Sequence, residues 1–259
     1  AIFGDREETR RINLEGSRNV FEAAVEAGVD RLVYASSVAA YGFHAENPQP
    51  LTEEVPARGS EGFYYSAQKA ELETVLQEVT AGSGVEAYVF RPCIVAGPRA
   101  TMLIRQVVDG ARLGDPAPRL RRAVGRLPLV KPVLPDFGVP IQLVHHDDVA
   151  RAMAAAAAGV GPAGAYNLCG DGTIGMADIA RTIGWRSLPV PRPAVGLGAA
   201  AAQRLSPVTS KLEWAQALRV PVLMDAAKAR RELGWEPRFD AAETLLQTAV
   251  SAREQGVLD

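Results

Sequence analysis

Tyr65-Ser-Ala-Gln-Lys69 sets a phenol and an ammonium four residues apart, on one face of any helix that carries them. An ammonium that close favours the phenolate. It draws the tyrosine pKa down from its reference of about 10 toward neutral pH, where the phenol can trade a proton with a carbinol or a carbonyl. The same pair also fits a half-buried aromatic ring that anchors a helix N-terminus, so the spacing alone leaves both readings open. Ser36 and Ser37 close the run Arg31-Leu-Val-Tyr-Ala-Ser-Ser37, which reads as a buried strand. Open parallel sheets bind their ligands outside the carboxyl ends of the strands, and a hydroxyl there can hydrogen-bond the oxygen that Tyr65 protonates. Turn and helix-capping chemistry is the other use of such a serine pair.

The elements around these residues alternate. From Asp5 to Ala27, Ile12, Val20, Ala23, Ala24 and Ala27 fall at helical spacing, and Gly28 follows as a C-cap. After the first strand and a loop rich in Pro, Glu and Gly, Tyr64 to Thr80 forms a second helix with Leu72, Val75, Leu76 and Val79 on one stripe. Val85 to Phe90 makes a second strand, stopped by Arg91-Pro92. Ile141 to Val144 reads as a strand, Asp147 or Asp148 as the cap of a helix to Ala158, and Ala165 to Leu168 as a short strand. From Met176 to Asp259 the pattern is helical, broken by prolines, and Gly170-Asp-Gly172 is a turn. Helices alternating with buried strands predict a parallel α/β sheet.

The segment Thr101 to Pro140 differs, being rich in proline and in basic residues between Arg105 and Lys131. It reads either as a solvated surface lid or as a basic cap that attracts an anionic substrate. Prolines and like charges disfavour an independent packed core there, which predicts a mobile lid or one that folds over the substrate.

The whole chain has 259 residues, 47% hydrophobic and 22% charged, with a formal net charge of -2. That is a globular composition with no overall reason to bind nucleic acid or an anionic membrane. No run reaches the roughly 18 apolar residues of a spanning helix, and Asp5 to Glu8 arrive before a signal-peptide core can form. Cys93 and Cys169 are too few for a disulfide framework and lack metal-ligand spacing, so no metal is expected and the reducing cytoplasm is the default compartment.

Several segments together resemble the extended short-chain dehydrogenase/reductase superfamily, the NAD-dependent epimerase/dehydratase family. They are Tyr34-Ala-Ser-Ser-Val-Ala-Ala-Tyr41-Gly42, Tyr65-Ser-Ala-Gln-Lys69 and Phe90-Arg-Pro-Cys-Ile-Val-Ala-Gly-Pro98, in that family's order and spacing. Asn13-Leu-Glu-Gly-Ser17, His145-His-Asp-Asp-Val-Ala150 and Leu233-Gly-Trp-Glu-Pro237 resemble three of its further elements. The resemblance implies Ser37, Tyr65 and Lys69 as the catalytic set. Tyr65 is then the acid/base, Lys69 its modulator and a ligand of the nicotinamide ribose, and Ser37 the group that polarises the reacting oxygen. It also implies that Ser36, Tyr65, Lys69, Pro92, Cys93 and Ile94 line the cofactor site, for NAD or NADP. Asn13 is expected to hold the helix and strand around the site.

The implied fold is a doubly wound, Rossmann-like parallel sheet with a smaller C-terminal substrate region. Residues 1–100 and 141–168 make the core, and 101–140 with 169–259 make the substrate region and its basic lid. The family's opening strands and their Gly-rich, pyrophosphate-holding turn have no counterpart in this sequence. The chain by itself is therefore expected to hold a dinucleotide weakly. Val38-Ala39 stands where the family's dehydratases carry an Asp-Glu pair, which argues against water elimination. Ile94 stands where sugar-nucleotide epimerases carry an Asn, making the pocket more apolar. The resulting expectation is an NAD(P)-dependent oxidoreductase acting by hydride transfer on a secondary alcohol or ketone, a small-molecule substrate. A sugar-nucleotide epimerase and a non-catalytic NAD(P)-binding sensor are the rivals, and a homodimer is a family expectation.

Overall fold

The computed structural model describes residues 6–113, 132–190 and 220–258. They form helices α1 (Arg6–Glu26), α2 (Tyr64–Thr80), α3 (Met102–Leu113), α4 (His146–Ala157), α5 (Met176–Thr182), α6 (Ala227–Leu233) and α7 (Ala241–Glu254). The strands are β1 (Arg31–Ala35), β2 (Glu86–Pro92), β3 (Ile94–Ala96), β4 (Val133–Asp136), β5 (Leu143–His145), β6 (Gly164–Leu168) and β7 (Arg186–Pro189). The described residues divide between two compact units, one within 1–93, 147–169 and 208–238 and the other within 94–146, 170–207 and 239–259.

In the first unit β1, β2 and β6 form one parallel sheet in that order, with Ala35 opposite Phe90 and Pro92 opposite Leu168. Successive side chains of a strand face opposite sides. Val89 and Ala87 accordingly meet α1 and α2 through Phe21, Val75, Leu76 and Val79, while Tyr88, Phe90, Tyr166 and Leu168 are buried on the other side. Both faces are covered, as a doubly wound parallel α/β sheet requires. The sequence stops β2 at Phe90, but the strand continues to Pro92. β1 pairs no further than Phe90, so the missing proline N–H costs no bond to it, and the Cys93 N–H continues the contact with the Leu168 carbonyl at 2.9 Å.

The second unit contains two parallel pairs, β3 with β5 and β4 with β7. Its core gathers Ile104 and Val108 from α3, Leu143 from β5, Ile179 from α5 and Leu245 from α7. Residues 94–100 and 141–146, which the sequence assigns to the Rossmann-like core, lie in this unit because β3 pairs with β5 and Ile94 packs against its core. Residues 220–238 lie in the first unit instead, where Lys228 of α6 donates to the Ala165 carbonyl of β6 at 2.9 Å.

Three further corrections concern local structure. Arg186–Pro189 is a strand inside the stretch read as helical, because Arg186 N–H and Val190 N–H bond the carbonyls of Pro132 and Asp136 beside β4. The described start of the basic segment is a packed helix, α3, since Ile104 and Val108 are buried. The rest of the lid expectation, residues 114–131, lies outside the described residues. Finally, α4 begins at His146, so Asp147 and Asp148 occupy its first turn and neither is the N-cap. Among the described residues no helix is long and apolar enough to cross a membrane.

Candidate active site

Ser37 follows β1 directly. Its backbone is extended, and its hydroxyl accepts a hydrogen bond from the Ala39 N–H at 3.2 Å, starting a 3-10 turn over Val38–Tyr41. The chain then leaves through Gly42, at a φ of 83° that L side chains rarely adopt, and a Cβ there would lie 2.3 Å from the Gly59 carbonyl oxygen. Gly59 N–H returns a bond to the Ala40 carbonyl at 2.9 Å, and the buried Ser66 hydroxyl of α2 donates to the Ala39 carbonyl at 2.6 Å. This closed loop seats the first turn of α2 beside the end of β1. On that turn the Tyr65 phenol is hydrogen-bonded with Ser37.

Lys69 lies one turn further along α2. Its Nζ donates to the Ala35 carbonyl at 2.9 Å and to the Tyr34 hydroxyl at 3.4 Å, and it stands 6.0 Å from the centroid of the Tyr65 ring. The electrostatics differ from what the spacing alone predicts. Burial pushes the Tyr65 phenol above its ordinary pKa, opposed by the Ser37 hydrogen bond, and Lys69 is not among the groups that move it. The ammonium is turned to the strand end, so any help it gives a phenolate must come from where it stands against the ring. Burial also pulls Lys69 down, with Glu73 opposing.

The other expected site residues fall in three places. Ser36 is buried and faces away from Ser37. Its hydroxyl donates to Glu73 Oε1 at 2.5 Å, and its N–H bonds the Phe90 carbonyl. Pro92 ends β2 and Cys93 is buried after it, while Ile94 is half-buried in β3 against the core of the second unit. Asn13 on α1 donates to Gln68 Oε1 on α2 at 2.8 Å, joining the two helices next to Lys69. Residues the sequence did not single out lie behind the set. Arg91 is paired with Glu73, its Nη2 2.6 Å from Oε2, and its guanidinium lies 4.5 Å from the Tyr41 ring centroid. The Tyr41 hydroxyl in turn donates to Asn167 Oδ1 at 2.7 Å.

Burial is the first cause of a raised pKa for Tyr34, Tyr41, Tyr65 and Tyr166. Each favours its neutral form in the folded state more than when unfolded. The stability this contributes is complete below the unfolded value of about 10 and is lost as pH rises beyond it. An alkaline titration followed by ultraviolet absorbance and circular dichroism should therefore show these four phenolates appearing together with unfolding. Ionisation of all of them near pH 10 in a folded chain would contradict their burial.

The match to the NAD dependent epimerase/dehydratase family covers residues 2–169, and the chain belongs to that family. The uncharacterised protein y4nG of Sinorhizobium fredii is 27% identical over 248 residues, a stretch covering 92% of this chain. The chain spans 57% of the length of that relative. An Arabidopsis thaliana protein, 3beta-hydroxysteroid-dehydrogenase/decarboxylase isoform 1, is 31% identical over 103 residues, 40% of this chain and 24% of its own. Among solved structures, a short-chain dehydrogenase/reductase superfamily protein from Agrobacterium tumefaciens with bound NAD superimposes with a TM-score of 0.67. It is 20% identical, and the match covers 97% of this chain and 75% of that one, which shows the shared fold.

Proposed function

We propose that this chain carries the proton-transfer half of an NAD(P)-dependent oxidoreductase that interconverts a secondary alcohol and its ketone. The observation that carries this reading is the Ser37–Tyr65 hydrogen bond at the carboxyl end of β1, with Lys69 one helical turn away. Family membership supports it, as does the name of the Arabidopsis relative, that of a hydroxysteroid dehydrogenase. A nicotinamide cofactor, when bound, accepts or returns the hydride. The donors of this chain suit its nicotinamide ribose: Lys69 offers an ammonium at the end of β1, with the Tyr65 hydroxyl on the turn before it, and Pro92 and Cys93 lie at the end of the next strand.

Tyr65 takes the carbinol proton as the alcohol is oxidised and returns it to the carbonyl oxygen in the reverse direction. Ser37 holds that oxygen through its hydroxyl, and the Lys69 ammonium stands 6.0 Å from the centroid of the ring that carries the phenolate. A phenol raised by burial is protonated at neutral pH, so Tyr65 starts as the acid when a ketone binds. Val38-Ala39 beside Ser37 supply no further acid or base, which favours plain hydride transfer over water elimination.

The test is nicotinamide absorbance with the intact protein, NAD or NADP, and a panel of secondary alcohols and their ketones. Net cofactor turnover with at least one pair is the expected result. Inversion of a nucleotide sugar without net change in cofactor would replace this reading with an epimerase.

A further inference from the structure

We propose that Glu73 is a positioning residue for this set, a fixed negative charge one helical turn behind Lys69 that keeps the ammonium charged and seated on the strand end. The inference rests on the reading that Tyr65 transfers the proton, since only then does the charge of Lys69 matter to the chemistry. Tyr65, Lys69 and Glu73 follow one another at four-residue steps along α2, so all three lie on one helix face. The Glu73 side chain is only 3% exposed. Its Oε1 accepts from Ser36 Oγ at 2.5 Å and from Arg91 Nε at 3.1 Å, and its Oε2 accepts from Arg91 Nη2 at 2.6 Å. One carboxylate thus ties α2 to the ends of β1 and β2, next to Ser37 on one strand and Pro92 on the other.

A buried ion pair such as Glu73–Arg91 is a poor source of net stability, because desolvating both charges costs about as much as their attraction returns. An apolar pair of the same volume would hold the elements together as well. What it could not do is act on Lys69. The ammonium is held by one carbonyl and one phenol, and burial disfavours its charge. Glu73 is the group that opposes that pull. Among the described residues, Glu73 is the carboxylate that acts on Lys69, and the nearest other groups are phenols and paired cations. From β1 comes the Tyr34 phenol and from α2 the Tyr65 phenol, both pushed up by burial, while Arg91 of β2 reaches the neighbourhood only through Glu73. The α1 cations Arg10 and Arg18 are paired with Glu71 and Glu78.

The lysines of the chain are Lys69, Lys131, Lys211 and Lys228, which makes the titration of one of them readable. Trace acetic anhydride acylates only neutral amines, so the extent of labelling of the Lys69 peptide against pH, read by mass spectrometry in the intact protein, gives the midpoint of its ionisation. Glu73→Gln should lower that midpoint by about one pH unit, a tenfold loss of proton affinity, with native circular dichroism. Glu73→Asp keeps the charge and should leave the midpoint within a few tenths of wild type. A folded Gln variant with an unshifted midpoint overturns the proposal, and so does an Asp variant whose midpoint falls by a full unit. Because the Gln variant leaves Arg91 buried without a counter-charge, the Asp variant decides alone where the Gln variant does not fold. Labelling needs neither cofactor nor turnover. Its failure leaves the Tyr65 reading standing, whereas normal turnover by Tyr65→Phe removes that reading and leaves the Lys69 midpoint where it was.

Discussion

Tyr65→Phe should lower turnover of the intact protein by about 100-fold or more, the usual range for removing a positioned acid/base, while leaving the fold unchanged. The ring is half-buried, its centroid 6.1 Å from that of Phe63 and 6.0 Å from Lys69 Nζ, and phenylalanine keeps both contacts. Only the hydroxyl is lost, together with its hydrogen bond to Ser37. Leaving Ser37 without that partner costs about 1 kcal/mol at most, because its oxygen still accepts from the Ala39 N–H. A melting temperature within a few degrees of wild type should therefore accompany the loss of turnover. Turnover near that of wild type would mean that the proton comes from another group, and Tyr65 would be a packing residue of the helix N-terminus. Read as kcat/KM, the loss should be equal in both directions, because the variant cannot change the equilibrium between the alcohol and the ketone.

The parts of this site that the sequence makes legible are those that depend on one element at a time. The Tyr65–Lys69 spacing is a property of a helix, and Ser37 at the end of β1 is a property of a short apolar run. Legibility stops where two elements must be aligned. Ser36 and Ser37 are adjacent and chemically equal, yet alternation in extended chain sends one into the core and the other to the site. Which goes where depends on how β1 lies against β2, with Ser36 N–H bonded to the Phe90 carbonyl. The same register brings Arg91 beside Glu73, a contact between a helix and a strand that no spacing within either one announces. The direction taken by Lys69 is lost for a similar reason, because a four-carbon stem reaches the Ala35 carbonyl as easily as the phenol. Strands β4 and β7 escape notice because each has four residues including a proline and is held by pairing with the other rather than by an apolar run of its own.

Asp148→Ala should destabilise the chain by about 3 kcal/mol, whereas Asp147→Ala should cost no more than about 1 kcal/mol, although the two are neighbours in the first turn of α4. Asp147 is exposed, and its negative charge lies near the positive end of the helix dipole. Asp148 is fully buried. Its Oδ1 accepts from Arg151 Nη2 at 2.5 Å and its Oδ2 from the Arg238 N–H at 3.0 Å, while its backbone carbonyl accepts from Trp235 Nε1 at 2.8 Å. Arg151 adds a bond to the Glu236 carbonyl at 2.6 Å. The carboxylate and backbone carbonyl of Asp148, together with Arg151, therefore dock residues 235–238 onto the start of α4, where the sequence offers only a choice of helix caps. Alanine leaves the Arg238 N–H without its acceptor and Arg151 without its counter-charge. A fully buried pair broken in this way costs about 3–5 kcal/mol. The Arg151 side chain is 33% exposed and can turn to water, which puts the expected cost at the low end. Against a total stability of about 5–15 kcal/mol this is a large share. Urea unfolding should show the midpoint of Asp148→Ala falling with an unchanged slope, since the folded contacts elsewhere remain. Asp148→Asn keeps the length and one acceptor and should fall between the two alanine variants. Equal costs for Asp147→Ala and Asp148→Ala would mean that residues 235–238 do not dock on Asp148, and the two carboxylates would then act only as a charged first turn.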